Sequence, residues 1–153
     1  MLKILNMKSL FDKQTQIEIF ERIDKLNANS QRIWGTMNVS QMLKHMTIAF
    51  SVPIGKINLP KDKLYYLSAN PIARKLMIDI MPWPKNMVTA KDFIVKEDPA
   101  FEQAKKETIA VVQEFIKSTN FSGSHPVFGV MDKDTWGKAM YKHFDHHLKQ
   151  FGV

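Results

Sequence analysis

The sequence predicts an all-α fold: a four-helix bundle with one long crossover between its second and third helices. Three observations carry this. Apolar residues recur at helical spacing in four separate stretches. Asparagine, aspartate, proline and glycine fall at the edges of those stretches, where helices start and stop. No stretch shows the alternation of a β-sandwich or a βαβ rhythm, and no internal repeat is evident. The 153 residues suit one domain, 1–153, with a hydrophobic core of its own.

The first helix is predicted from Gln14 to Leu26, on Ile17, Ile19, Phe20, Ile23 and Leu26. The Asn27 to Ser30 stretch ends it, and Gly35 adds a second break. The second helix begins after Asn38, a good N-cap with Gln41 three residues on in the manner of a capping box. Val39, Met42, Leu43, Met46, Ala49 and Phe50 line one side of it, and Pro53 and Gly55 close it. Residues 54–97 are the least periodic. Within them Asn70-Pro71 reads as a cap followed by proline at the first helical position, which predicts a short extra helix to Met81, stopped by Pro82-Trp83-Pro84. Asp92 to Lys96 suits at most a short extended piece. Asp98-Pro99 repeats the cap-and-proline start, and the third main helix runs from Pro99 to Lys117 on Phe101, Ala104, Thr108, Val111, Val112 and Phe115. Gly123, Pro126 and Gly129 mark a loop, after which Asp132 caps the last helix. The short links make antiparallel neighbours, and the long one lets helices two and three run parallel.

An apolar fraction of 44% and three tryptophans belong to a folded chain. No run approaches the roughly 18 apolar residues of a membrane span. Met1 to Phe11 shows no long apolar stretch and no small-residue cleavage site, so no signal peptide is expected. The absence of cysteine excludes disulfides and thiolate ligands, and a cytoplasmic setting is the default expectation. Formal net charge is +7, from 22 Lys and Arg against 15 Asp and Glu. Such an excess can favour anionic partners. The lysines are scattered, however, only three of the basic residues are arginine, and there is no zinc finger or phosphate-cradling loop. A nucleic-acid partner is therefore not expected; a small-molecule substrate is.

The chemistry concentrates in the last helix. His143 and His147 lie four residues apart, so they share one face, which also carries Trp136, Met140, Phe144 and Phe151. His146 points away from that line, and Asp145 nearly opposite, toward solvent. His45 sits at the edge of the second helix's apolar stripe and is the natural third partner. Three imidazoles around a divalent ion leave one or two positions open, an arrangement of catalytic kind. Imidazole alone is compatible with zinc, nickel, iron or copper. Three neutral rings leave the full charge on the ion, which lowers the pKa of a bound water or thiol. Gln41, one turn before His45, is placed to hold the ring nitrogen that faces away from the ion. His125, in the loop before the last helix, is the spare: an acid, base or substrate contact over the pocket mouth, or a loop histidine bonded locally. Trp34, Trp83 and Trp136 are candidate walls, and the ten methionines are mostly core filler.

The segment His125-Pro-Val-Phe-Gly and the run from Trp136 to Gly152 resemble the C-terminal signature of an uncharacterised branch of the DinB and YfiT-like superfamily. The stretch Val39-Ser-Gln-Met-Leu-Lys-His45 resembles its helix-two signature. The likeness covers nearly the whole chain. It implies a four-helix bundle in up-down-down-up order, with His45, His143 and His147 as ligands of a divalent metal, zinc, nickel or iron. It also implies a homodimer and, by analogy with characterised relatives, an S-transferase or isomerase that uses a metal-activated low-molecular-weight thiol. The stretch Met131-Asp132-Lys133-Asp134 stands where a threonine-proline start is expected in similar sequences; aspartate also caps, so the fold is unaffected.

Two other readings compete. One is a metal-dependent hydrolase with metal-activated water as nucleophile, against which stands the lack of a clearly placed carboxylate base. The other is a non-catalytic basic bundle that binds DNA or a protein partner in a stress response, against which stands the scatter of the lysines.

Overall fold

The computed structural model of this chain describes residues 7–87 and 90–153. Of Met1 to Phe11, on which the expectation of no signal peptide rests, residues 1–6 lie outside the described residues. The described residues are mostly helical. Helix α1 (Lys13–Asp24) buries Ile19 and Ile23, and α2 (Val39–Ser51) buries Met42, Leu43, Met46 and Phe50. The capping box forms as the sequence predicts: Asn38 Oδ1 accepts from the Gln41 N–H at 2.8 Å, and Gln41 Oε1 accepts from the Asn38 N–H at 3.0 Å.

The crossover holds more structure than one short helix. A first turn, α3 (Tyr65–Ser68), was not expected; its residues show no cap and too little length for a periodic signal. Helix α4 (Pro71–Lys75) starts on the predicted Asn70 cap, whose Oδ1 accepts from the Ile72 N–H at 2.8 Å, and continues as a π-helical turn over Leu76–Ile80. Together they cover nearly the predicted 71–81. Lys142 fixes the end of this turn. Its buried ammonium donates to the carbonyls of Met77 at 2.7 Å, Ile78 at 2.8 Å and Met81. The piece predicted as extended, Asp92 to Lys96, starts instead within a 3₁₀ turn, Lys91–Phe93, because the Phe93 and Ile94 N–H groups bond back to Ala90 and Lys91.

Helix α5 (Phe101–Lys117) starts two residues later than predicted, with Ala100 as cap. Asp98 does not cap it. Its carboxylate accepts from Asn38 Nδ2 at 2.8 Å, so it joins the start of α5 to the start of α2. These two helices pack along their lengths: the buried Thr108 hydroxyl donates to the Leu43 carbonyl, at 2.8 Å, across the contact. A minimal antiparallel ladder follows, β1 (Ser124–His125) with β2 (Gly129–Val130), in register Ser124 to Val130 and His125 to Gly129. Before it, Gly123 lies so close to the Val52 carbonyl that any Cβ would collide with it. Helix α6 (Lys133–Gln150) begins on the predicted cap, Asp132 Oδ1 accepting from the Thr135 N–H at 2.8 Å.

Phe50, Phe115, Phe144 and Trp136 are fully buried at the centre of the core. Asp145 is not solvated as expected. It pairs with Arg22 at 2.8 Å and ties α6 to α1. No helix among the described residues is long and apolar enough to cross a membrane.

Candidate metal centre

The three predicted ligands meet. His45 comes from the middle of α2, and His143 and His147 come one turn apart from α6. Their ring centroids form a near-equilateral triangle, 5.0, 4.8 and 5.0 Å on a side. One ring nitrogen of each lies within 4.8 Å of the others. Nitrogens bound at 2.0 to 2.1 Å to a tetrahedral ion stand roughly 3.3 Å apart, so small side-chain shifts close the set.

The partners of the outer nitrogens decide which nitrogen faces inward. His45 Nδ1 lies 2.9 Å from the Phe93 carbonyl. A carbonyl only accepts, so Nδ1 carries the proton and Nε2 keeps its lone pair for an ion. His147 Nδ1 lies 2.8 Å from Gln150 Oε1, and the Gln150 amide is itself oriented by donating from Nε2 to the Trp34 carbonyl at 2.8 Å. The amide therefore turns its oxygen to the ring, and His147 Nε2 is also left free to ligate. His143 Nε2 lies 2.9 Å from His45 Nε2. Since His45 Nε2 has no proton to give, His143 donates there, and an ion would take the place of that proton.

Burial keeps these rings uncharged. It pushes His147 down to about 3 and His143 well below the ordinary imidazole range, with the neighbouring rings adding to both effects. His45 is also lowered by burial, and its bond to Phe93 partly offsets the shift. Neutral imidazole is the form that binds a metal, so the donor set fits a divalent ion.

The triad opens onto a cavity of about 100 Å³ whose walls include Met77, Trp83, Phe93, Val127 and Phe128. None of the described residues lining it is an aspartate, glutamate, lysine or arginine. His125 and His146 line it as well.

Residues 6–152 match the family described as "Protein of unknown function (DUF1569)". The chain belongs to DUF1569. No curated protein and no solved structure matches it.

In this DUF1569 chain the sequence-predicted residues fall out as follows. His45, His143 and His147 come together. Gln41 does not hold His45, because both ends of its amide are taken: Oε1 by the capping box and Nε2 by the Glu97 carbonyl at 3.1 Å. Phe93 holds His45 and Gln150 holds His147 instead. Gln150 follows His147 at i+3, a spacing visible in the sequence; the Phe93 contact is a backbone carbonyl, which no residue type announces. His146 and His147 were expected to face different ways, yet both touch the cavity. The half-buried His146 ring reaches it from the side of Trp34, 5.7 Å between centroids. Of the three tryptophans, Trp83 walls the cavity, 5.5 Å from His143. Trp136 is core, its Nε1 buried without a partner among the described residues. His125 is partly buried, and desolvation pushes its pKa down to about 3. Its Nδ1 accepts from the N–H groups of Val127 and Phe128, so the locally bonded and pocket-facing expectations both describe it.

Proposed function

We propose that this chain is a metal-dependent enzyme of the thiol S-transferase or isomerase kind, with His45, His143 and His147 holding zinc, nickel or iron, and a small molecule as substrate. The same reading takes α1, α2, α5 and α6 as a DinB-like four-helix bundle in up-down-down-up order. The observation that carries it is the set of three neutral imidazoles, two with lone pairs fixed inward, at the wall of a small apolar cavity.

When bound, a divalent ion with only neutral ligands supplies a strong pull on the pKa of a coordinated thiol, making it a nucleophile near neutral pH. The chain's own residues do the rest. His45 and His147 hold their donor atoms through Phe93 and Gln150. Trp83, Phe93 and Phe128 exclude water, which strengthens every charge interaction inside. No described residue of the lining offers a carboxylate base, which favours an incoming thiol over hydrolysis.

The test is elemental analysis of protein purified without a histidine tag, beside His45→Ala and His147→Ala. One divalent ion per chain, lost in both variants, is expected. Turnover of an electrophile such as 1-chloro-2,4-dinitrobenzene should then require both the ion and an added low-molecular-weight thiol. Undiminished metal content in the variants contradicts the metal reading, and thiol-independent turnover contradicts the transferase reading.

A further inference from the structure

We infer that His125 is a fixed hydrogen-bond donor to the substrate, and that the substrate is a small, uncharged, largely apolar molecule carrying one acceptor oxygen. The inference rests on the cavity being the reaction site.

The ring cannot choose its tautomer. The Val127 and Phe128 N–H groups reach Nδ1 at 3.0 and 3.1 Å. Backbone N–H groups only donate, so Nδ1 holds a lone pair and the proton of the neutral ring sits on Nε2. The ring forms part of the cavity wall. Among the described residues, the only buried side-chain nitrogen or oxygen that is sealed off without a partner is Trp136 Nε1, so Nε2 of His125 is not closed into the core. It is a donor that the fold leaves to whatever enters. The one lone pair of the ring already accepts two bonds, so His125 is neither a base nor a fourth ligand in this arrangement.

The rest of the lining sets the chemical class. Leu64, Met77, Met87, Val127 and Phe128 offer no ionic partner, and no described lining residue is charged. An ionised substrate group remote from the metal would lose its hydration for nothing. A carbonyl-type oxygen on an apolar frame meets both demands: an acceptor for the fixed His125 donor, and an apolar surface for the remainder.

Long-range ¹H–¹⁵N imidazole spectra of the full chain read the tautomer, and cyclopentanone and methylenecyclopentane serve as probes of equal shape with and without the acceptor. His125→Asn is the informative variant: an asparagine oxygen can take the N–H of residue 127 in an Asx turn, and its short side chain cannot reach the cavity. Expected are an Nε2–H tautomer, a shift of that Nε2–H on adding cyclopentanone, and an affinity for the ketone roughly three- to tenfold lower in His125→Asn, with the hydrocarbon unaffected. A proton on Nδ1, an Nε2–H blind to the ketone, or equal loss of both probes overturns the proposal. The wild-type spectra decide it even if the variant does not fold. These measurements are made on metal-free protein with zinc uptake followed in parallel, so failure to bind zinc counts against the metal reading alone.

Discussion

His147 donates from Nδ1 to the side-chain oxygen of Gln150, 2.8 Å away and three residues further along the same helix. The bond sets which face of the ring looks into the cavity, and the Trp34 carbonyl sets the Gln150 amide in turn. Gln150→Leu keeps the bulk and removes the acceptor. Removing a group that orients a metal ligand typically costs 10- to 100-fold in affinity. A zinc competition titration against a chelator should show a loss of about that size, and an unchanged constant would mean that the amide does not orient the ring.

Gly35 belongs to the same chain of contacts. Its φ is +82°, a conformation side chains rarely adopt, and a Cβ built on it would collide with Gln150 Nε2. Gly35→Ala should lower thermal stability and weaken zinc binding together. Gly55→Ala, at a similar φ of +74° but facing Ser122, should lower stability alone. Circular dichroism melts and the same zinc titration separate the two.

Lys142 satisfies three carbonyls at the end of the π turn. Lys142→Met retains the stem and removes the donor; the Met77 carbonyl keeps its bond from Trp83 Nε1 at 3.0 Å, while the Ile78 and Met81 carbonyls lose theirs, at about 1–3 kcal/mol each before water enters. A net loss of about 2–3 kcal/mol in denaturant unfolding is expected. Hydrogen exchange should quicken over residues 76–81 more than in α2 or α5; uniform quickening would show that the lysine serves the fold at large.

Acid should destabilise the metal-free protein. Burial lowers His125 from 6.5 to about 3. Between those values the unfolded chain binds a proton there and the native chain does not, so stability falls as pH drops below about 6.5. The lowered His147 adds in the same direction. Melting temperatures from neutral pH down to about pH 4 should decline, less steeply in His125→Asn, which lacks one of the titrating groups. Parallel slopes would place the acid sensitivity elsewhere.

The residues that could be read from the sequence share a physical property: their signal is local. The Asn38, Asn70 and Asp132 caps, the helical stripes and the i, i+4 spacing of His143 and His147 each arise within a turn or two of chain, and each appears where expected. What escaped depends on contacts between distant segments. Asp98 looked like a cap because its neighbour is proline, but an amide 60 residues away took its carboxylate. Gln41 looked like the support for His45, but its own capping box and the Glu97 carbonyl came first. The support that does exist, Phe93 O, is a main-chain atom in the least periodic segment. Asp145 shows the same limit: helical angle alone put it in water, and Arg22 from α1 covers it.

His45 and His143 are separated by 98 positions in the chain, yet their nitrogens stand 2.9 Å apart. No unfolded conformation holds that pair together, so an ion taken up there recognises only the finished molecule. Its binding free energy adds to the resistance of the whole domain to unfolding, by about 2.7 kcal/mol when free ion stands at a hundred times its dissociation constant. Starving the protein of metal would then shorten the lifetime of the protein itself.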